Sequence, residues 1–165
     1  MRYLMMLLGL VVLSGEAPAS DRDQPVDIQA GRTLLDNRGE GYYELTEGVS
    51  LTQGSLVIKA EQAKVFGQFG RNPERVHVQG TPATMQQAIE GQPGLVYAEA
   101  LNMEFYRERD MVILTGEVLI TQNRGEMRAE RVVYHIADGR IESDGTTEDR
   151  VRMRIEPEVH DQGPD

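Results

Sequence analysis

The 165 residues predict an all-β fold made of consecutive antiparallel hairpins. Apolar side chains alternate with polar ones through Val49 and Leu51, then Leu56, Ile58 and Ala60, and again through Val118 and Ile120, then Met127 and Ala129. Period two marks strands with one apolar and one wet face. Turn signals rich in Gly, Asn and Asp recur about every eight residues and leave no room for a helix; their spacing predicts a sandwich, roll or barrel of roughly sixteen short strands. The chain is also built twice. Leu45 to Gln53 (LTEGVSLTQ) and Leu114 to Gln122 (LTGEVLITQ) share five identical positions at an offset of 69 residues, and Ile58-Lys59-Ala60-Glu61 is echoed by Met127-Arg128-Ala129-Glu130 at the same offset. A third echo pairs Arg75-Val76 and Gly80-Thr81 with Arg140-Ile141 and Gly145-Thr146 at an offset of 65, so the first copy has a loop four residues longer around 67–73. Self-similarity of this kind points to two structural repeats.

In chain order, residues 1–19 read as a secretory signal. Arg2 gives a thin basic start, Leu4 to Leu13 an apolar run, and Ala17-Pro18-Ala19 a small-residue cleavage pattern. The apolar run falls short of the ~20 residues needed to span a bilayer. A single domain is expected over 20–157. Pro25 opens a first edge strand, Val26 to Ala30, where no ladder hydrogen bond is asked of a proline. Glu47-Gly48, Gly80 and Gly116 read as turns. Leu101 to Tyr106 alternates and reads as a strand, as does the continuous apolar run Met111 to Leu114, whose outer face is expected to be covered or to meet a partner. The last strand, Arg150 to Ile155, sets Val151, Met153 and Ile155 against Arg150, Arg152 and Arg154. Residues 158–165 form a polar tail expected to be disordered.

Composition narrows the function classes. A formal net charge of −10 argues against a nucleic-acid grip, which needs clustered Lys and Arg. The absence of Cys removes disulfides, thiolate metal sites and an acylated lipoprotein cysteine. His77, His135 and His160 are too widely spaced to suggest a zinc site. Ser50 and Ser55 lack the Gly-x-Ser-x-Gly frame of an activated nucleophile. Carboxylates are abundant, and a glycosidase-like pair in a groove is compatible with the sequence, but most lie on polar faces or in turns. No catalytic residue, metal or cofactor is assigned. The apolar stripe reads first as an ordinary core; eight Met and few large aromatics favour an adaptable interior able to take lipid.

Asp23 to Ile28, Val49 to Val65 (VSLTQGSLVIKAEQAKV), Gly80 to Gln87 (GTPATMQQ), the paired repeats and Arg150 to Glu158 (RVRMRIEPE) together resemble the LptA group of the OstA-like family, in order from about Asp21 to Asp161. The resemblance implies a β-jelly roll of about sixteen antiparallel strands, open at both ends, that shelters the acyl chains of lipopolysaccharide on the way between inner and outer membranes. It implies a periplasmic location and, as partners, lipopolysaccharide, the inner-membrane-anchored and outer-membrane OstA-like transport proteins, and further copies of the chain joined head to tail. Lipid-contacting positions carried over directly are Val26, Ile28, Met85 and Phe105; the apolar parity adds Val49, Leu51, Leu56, Ile58, Val118 and Ile120. Val26 and Ile28 on the first strand and Val151, Met153 and Ile155 on the last are the expected assembly edges. Arg107 stands where an apolar lining residue would be expected. The alternatives are another OstA-like envelope module, either the membrane-anchored partner or an outer-membrane plug domain, and a periplasmic β-fold enzyme acting on glycans.

Overall fold

A computed structural model describes residues 21–88, 94–136, 139–145 and 150–157. The expected signal segment 1–19, the tail 158–165, the Gly91–Pro93 part of one turn, Asp138 and Thr146 lie outside these residues. A 3₁₀ turn, Asp21–Asp23, leads into ten strands: β1 (Asp27–Asp36), β2 (Tyr42–Gln53), β3 (Leu56–Ala60), β4 (Gln62–Phe66), β5 (Arg75–Ala88), β6 (Leu95–Tyr106), β7 (Met111–Gln122), β8 (Gly125–His135), β9 (Arg140–Asp144) and β10 (Arg152–Ile155). All belong to one antiparallel sheet in which nearly every strand pairs with its neighbour in sequence.

The expected sixteen short strands are thus ten, six of them ten residues or longer. The two counts describe one object, because each long strand is creased once and all the creases lie on one line. Register shifts fall at Gly31 in β1, Gly80–Pro82 in β5, between Glu99 and Asn102 in β6, and at Gly116–Glu117 in β7. On the same line, β2 changes partner from β4 to β3 around Glu47–Gly48, and β8 changes from β10 to β9 around Glu130. Glu61 separates β3 from β4 there, held by Gly48 N–H to its carbonyl (3.3 Å) and by its own N–H to the Gln79 carbonyl (3.0 Å). Glu47-Gly48, Gly80 and Gly116, expected as turns, are bends inside strands. At the first and last of these the backbone chemistry is that of a turn: Glu47 and Gly48 have φ of 64° and 82°, and Gly116 and Glu117 have 80° and 51°. The reversed residue order in the two repeats therefore produces the same pair of left-handed residues, a conformation uncommon outside glycine. Close approach fixes another point on the line, since a Cβ on Gly31 would sit 2.7 Å from that of Glu47.

The crease divides the sheet into two eight-segment layers with the same strand order. One holds 27–30, 49–53, 56–60, 83–88, 95–99, 118–122, 125–129 and 152–155; the other holds 32–36, 42–45, 62–66, 75–79, 102–106, 111–115, 131–135 and 140–144. The layers face each other. Ile120 and Ile141 line one small cavity, although Ile141 pairs through Tyr134 with Val112, eight positions up β7 from Ile120 and on the order of 26 Å away along a flat strand. The sequence repeat is structural too: Val49 pairs with Ala60 and Leu51 with Ile58, just as Val118 pairs with Ala129 and Ile120 with Met127.

The core tapers. Beside the crease the inward side chains include Ala63, Ala83, Ala98 and Ala100, with Val49, Leu114 and Val118, all buried. Farther out, Ile28, Leu56, Ile58 and Phe105 pack against that cluster and are only partly buried. β1 forms one edge of the sheet; β9 and β10 form the other. The first edge strand differs from the expected Val26–Ala30: it starts at Asp27, leaving Val26 just ahead of it, and runs to Asp36, exposing Leu34 and Leu35. The last is shorter than Arg150–Ile155: Val151 precedes it and packs, partly buried, against the core, whereas Met153 and Ile155 within it are 72% and 80% exposed. It pairs only with β8, and nothing among the described residues covers its inner side.

Candidate functional site: an apolar cavity between the layers

The two layers separate with distance from the crease and leave a cavity of about 420 Å³. One wall carries Leu51 from β2, Leu56 and Ile58 from β3 and Met85 from β5; the other carries Val76 and Val78 from β5, Met103 and Phe105 from β6, Val112 from β7 and Tyr134 from β8. Strand parity aims these side chains inward, because every second residue of a strand shares a face. Polar groups gather at the two lips, where the hairpin turns lie: Asp21, Gln53 and Gln87 on one, Asn72, Arg107 and Asp110 on the other. The arrangement suits an amphiphile, with hydrocarbon in the depth and a polar head at the lips.

Of the residues expected at the lipid site, Val26, Leu51, Leu56, Ile58, Met85 and Phe105 line this cavity. Ile120 instead lines a second, much smaller cavity of about 20 Å³. Val49 and Val118 border the crease, where the layers are too close for space to remain, and are buried in the core at 5% and 1% exposure. Ile28 packs on the core without lining either cavity. Sequence reasoning left out Val76, Val78, Met103, Val112, Tyr134 and Ile136. Val76 and Val78 flank His77 in a clean alternation, so the signal was present. Arg107 does reach the cavity, as an exposed residue on its lip.

One lip is tied down by the 3₁₀ turn. The Asp21 carboxylate accepts from the Ser55 N–H (2.8 Å), the Ser55 hydroxyl and Gln87 Nε2 (3.3 Å), and Gln53 Nε2 donates to the Gln24 carbonyl (3.1 Å). A Cβ on Gly54 would collide with this carboxylate at 2.2 Å, so only glycine lets the turn seat here. Desolvation pushes the Asp21 carboxyl up, but the hydrogen bonds from Ser55 and Gln87 together outweigh it and hold it below its ordinary value of 3.8. An ionised, fully engaged carboxylate is the reverse of what a general acid requires. Away from the cavity, His77 Nε2 lies 3.4 Å from Asn102 Oδ1, and His135 lies 3.6 Å from Glu142.

The chain matches the family model described as LptA/(LptD N-terminal domain) LPS transport protein over residues 27–140. It is 27% identical over 160 residues to the lipopolysaccharide export system protein LptA of Escherichia coli K12, covering 93% of this chain and 85% of that one. To LptA of Haemophilus influenzae it is 25% identical over 159 residues, covering 93% and 91%. In three dimensions it resembles the crystal structure of LptH, the LptA-homologous periplasmic component of the lipopolysaccharide transport device of Pseudomonas aeruginosa, with a TM-score of 0.74 at 24% identity over 84% of this chain and all of that one. That likeness shows the shared jelly-roll fold. Match and geometry agree, and the chain belongs to the LptA/(LptD N-terminal domain) family of lipopolysaccharide transport proteins.

Proposed function

We propose that this chain is a periplasmic lipopolysaccharide carrier that buries lipid A acyl chains between its two layers. The observation that carries the reading is the apolar cavity with polar groups only at its lips. Hydrocarbon burial contributes ~0.8 kcal/mol per methylene, so one sheltered chain supplies several kcal/mol. Repulsion between an acidic protein and an anionic lipid is screened over ~8 Å at physiological salt and amounts to tenths of a kcal/mol per exposed pair. Acyl burial therefore outweighs it, provided the phosphates stay in solvent at the lips.

Delivery in this reading runs through the edges. β1 and the pair β9 and β10 leave backbone groups open to a further strand. Joining unlike ends is a heterologous contact that extends rather than closes. Copies of the chain stack head to tail, with inner-membrane-anchored and outer-membrane OstA-like proteins at the two ends. The sequence of residues 1–19 supports export to the periplasm. The names of the relatives support transport over glycan chemistry.

Photo-crosslinking side chains at Leu51, Ile58, Met85 or Phe105 should capture lipopolysaccharide in envelope preparations, whereas those at the exposed Lys59 and Arg128 should not. Equal labelling of both sets would place the lipid outside the interior and sink the reading.

A further inference from the structure

The two cavities have three lining residues in common, Met85, Gln87 and Tyr134. Met85 comes from β5 in one layer and Tyr134 from β8 in the other, with Gln87 at the lip, so both layers contribute to the boundary wall that the two cavities share. In the first layer the large cavity covers β2, β3 and β5, and the small one takes over at β5 and continues through Val96 and Ala98 of β6 to Ile120 of β7. The wall therefore stands across the long axis of the interior, between the β1 edge and the β9–β10 edge.

At about 30 Å³ per water-sized group, and with a methylene close to that size, 420 Å³ admits roughly a dozen carbons, about one acyl chain. The wall decides where that chain stops. Met85 is unbranched and adaptable, the kind of side chain that yields to an irregular apolar ligand, and Tyr134 is partly exposed. We propose that Met85 and Tyr134 form a partition that sets the length of hydrocarbon the large cavity accepts, and that its displacement joins the two cavities into one longer groove. The proposal rests on the acyl-sheltering reading and adds to it the residues that determine chain-length specificity.

Single-chain alkyl phosphates of about eight to about eighteen carbons are the probe, with affinities measured by displacement of an environment-sensitive dye from the full mature chain. In the wild type, affinity should rise about fourfold per added methylene and level off near a dozen carbons. Tyr134→Ala should move that plateau two to four carbons longer, Met85→Phe should move it shorter, and Tyr134→Phe, which keeps the ring, should leave it in place. The opposite directions expected on the two walls guard against a folding defect in either variant, and circular dichroism identifies such a defect; if one variant is unfolded, the other decides. A plateau at the same length in every folded variant would overturn the partition while leaving acyl binding intact. No binding by the wild type at any length would overturn the partition and the acyl-sheltering reading together.

Discussion

The Asp21 carboxylate accepts both the backbone N–H of Ser55, at 2.8 Å, and its hydroxyl, across 34 positions of sequence. The same hydroxyl accepts from the Ala88 N–H at 2.9 Å, so the start of the described chain, the β2–β3 turn and the end of β5 meet at one serine. The lip of the cavity is thereby fastened by a charge-assisted contact.

That contact titrates. Because the folded carboxyl lies below its ordinary 3.8, its stabilisation is fully present above that value and is lost as pH falls through the folded one. Asp21→Asn should cost about 1 kcal/mol or less at pH 7, and the gap to wild type in urea midpoint should close in acid below the ordinary carboxyl value. A gap that persists unchanged there would mean the charge is not what fastens the lip.

Leu114 is fully buried beside the crease in β7, between two packed layers. Leu114→Ala should lower unfolding stability by about 2–5 kcal/mol. Met153→Ala, on the open edge, should stay within about 0.5 kcal/mol of wild type. Urea denaturation of both variants checks the contrast.

The crease predicts opposite effects at two of its residues. A side chain at Gly31 has no room beside Glu47, so Gly31→Val should destabilise by about 1–3 kcal/mol. Glu117 is exposed and holds a φ of 51°, so Glu117→Gly removes a steric cost of about 1–2 kcal/mol against an entropic loss of about 0.5–1 kcal/mol and should leave the protein unchanged or slightly more stable. Thermal midpoints of the two variants would read both signs.

Head-to-tail assembly predicts oligomers that grow with concentration in light scattering. Met153→Pro should shorten them, since proline removes a backbone donor and restrains β10. Charge steering at this edge is weaker than the run of arginines suggests, because Arg154 already pairs with Glu156 at 2.7 Å. Added salt should therefore shift the size distribution only modestly. A wild type that stays monomeric at high concentration while still transferring lipid would remove the bridge from the proposal.

Strand parity was legible in the sequence because Val49, Leu51, Leu56 and Ile58 alternate against polar neighbours, and parity carries the face of every strand it touches. It carries nothing about height along the strand. Val49 and Leu51 share a face, yet Val49 fills the narrow end of the taper and Leu51 lines the open part. On the opposing wall the alternation of Val76 with Val78 and of Met103 with Phe105 was there to be read, but that these faces oppose Leu51 and Ile58 across a cavity emerges only once the sheet folds over. The creases were visible as chemistry and misread as geometry: the left-handed pairs Glu47-Gly48 and Gly116-Glu117 look in sequence like any tight turn, and only the continued pairing on both sides makes them bends. Of the open edges, the first and last strands were legible but β9 was not, and neither were Leu34 and Leu35, because β1 continues past Gly31 where the alternation stops.

A sheet folded along one line behaves as a hinged cover. The ladders on either side of the line run across the strands and stay whole when the cover opens, so the width of the interior is set by one angle. For the proposed carrier this means that cargo of different bulk would require a change in that one angle only, with no pairing exchanged and no register lost. In the proposed head-to-tail stack, adjacent copies would share the direction of that line, and its spine would be Gly31, Gly48, Gly80 and Gly116 repeated from copy to copy.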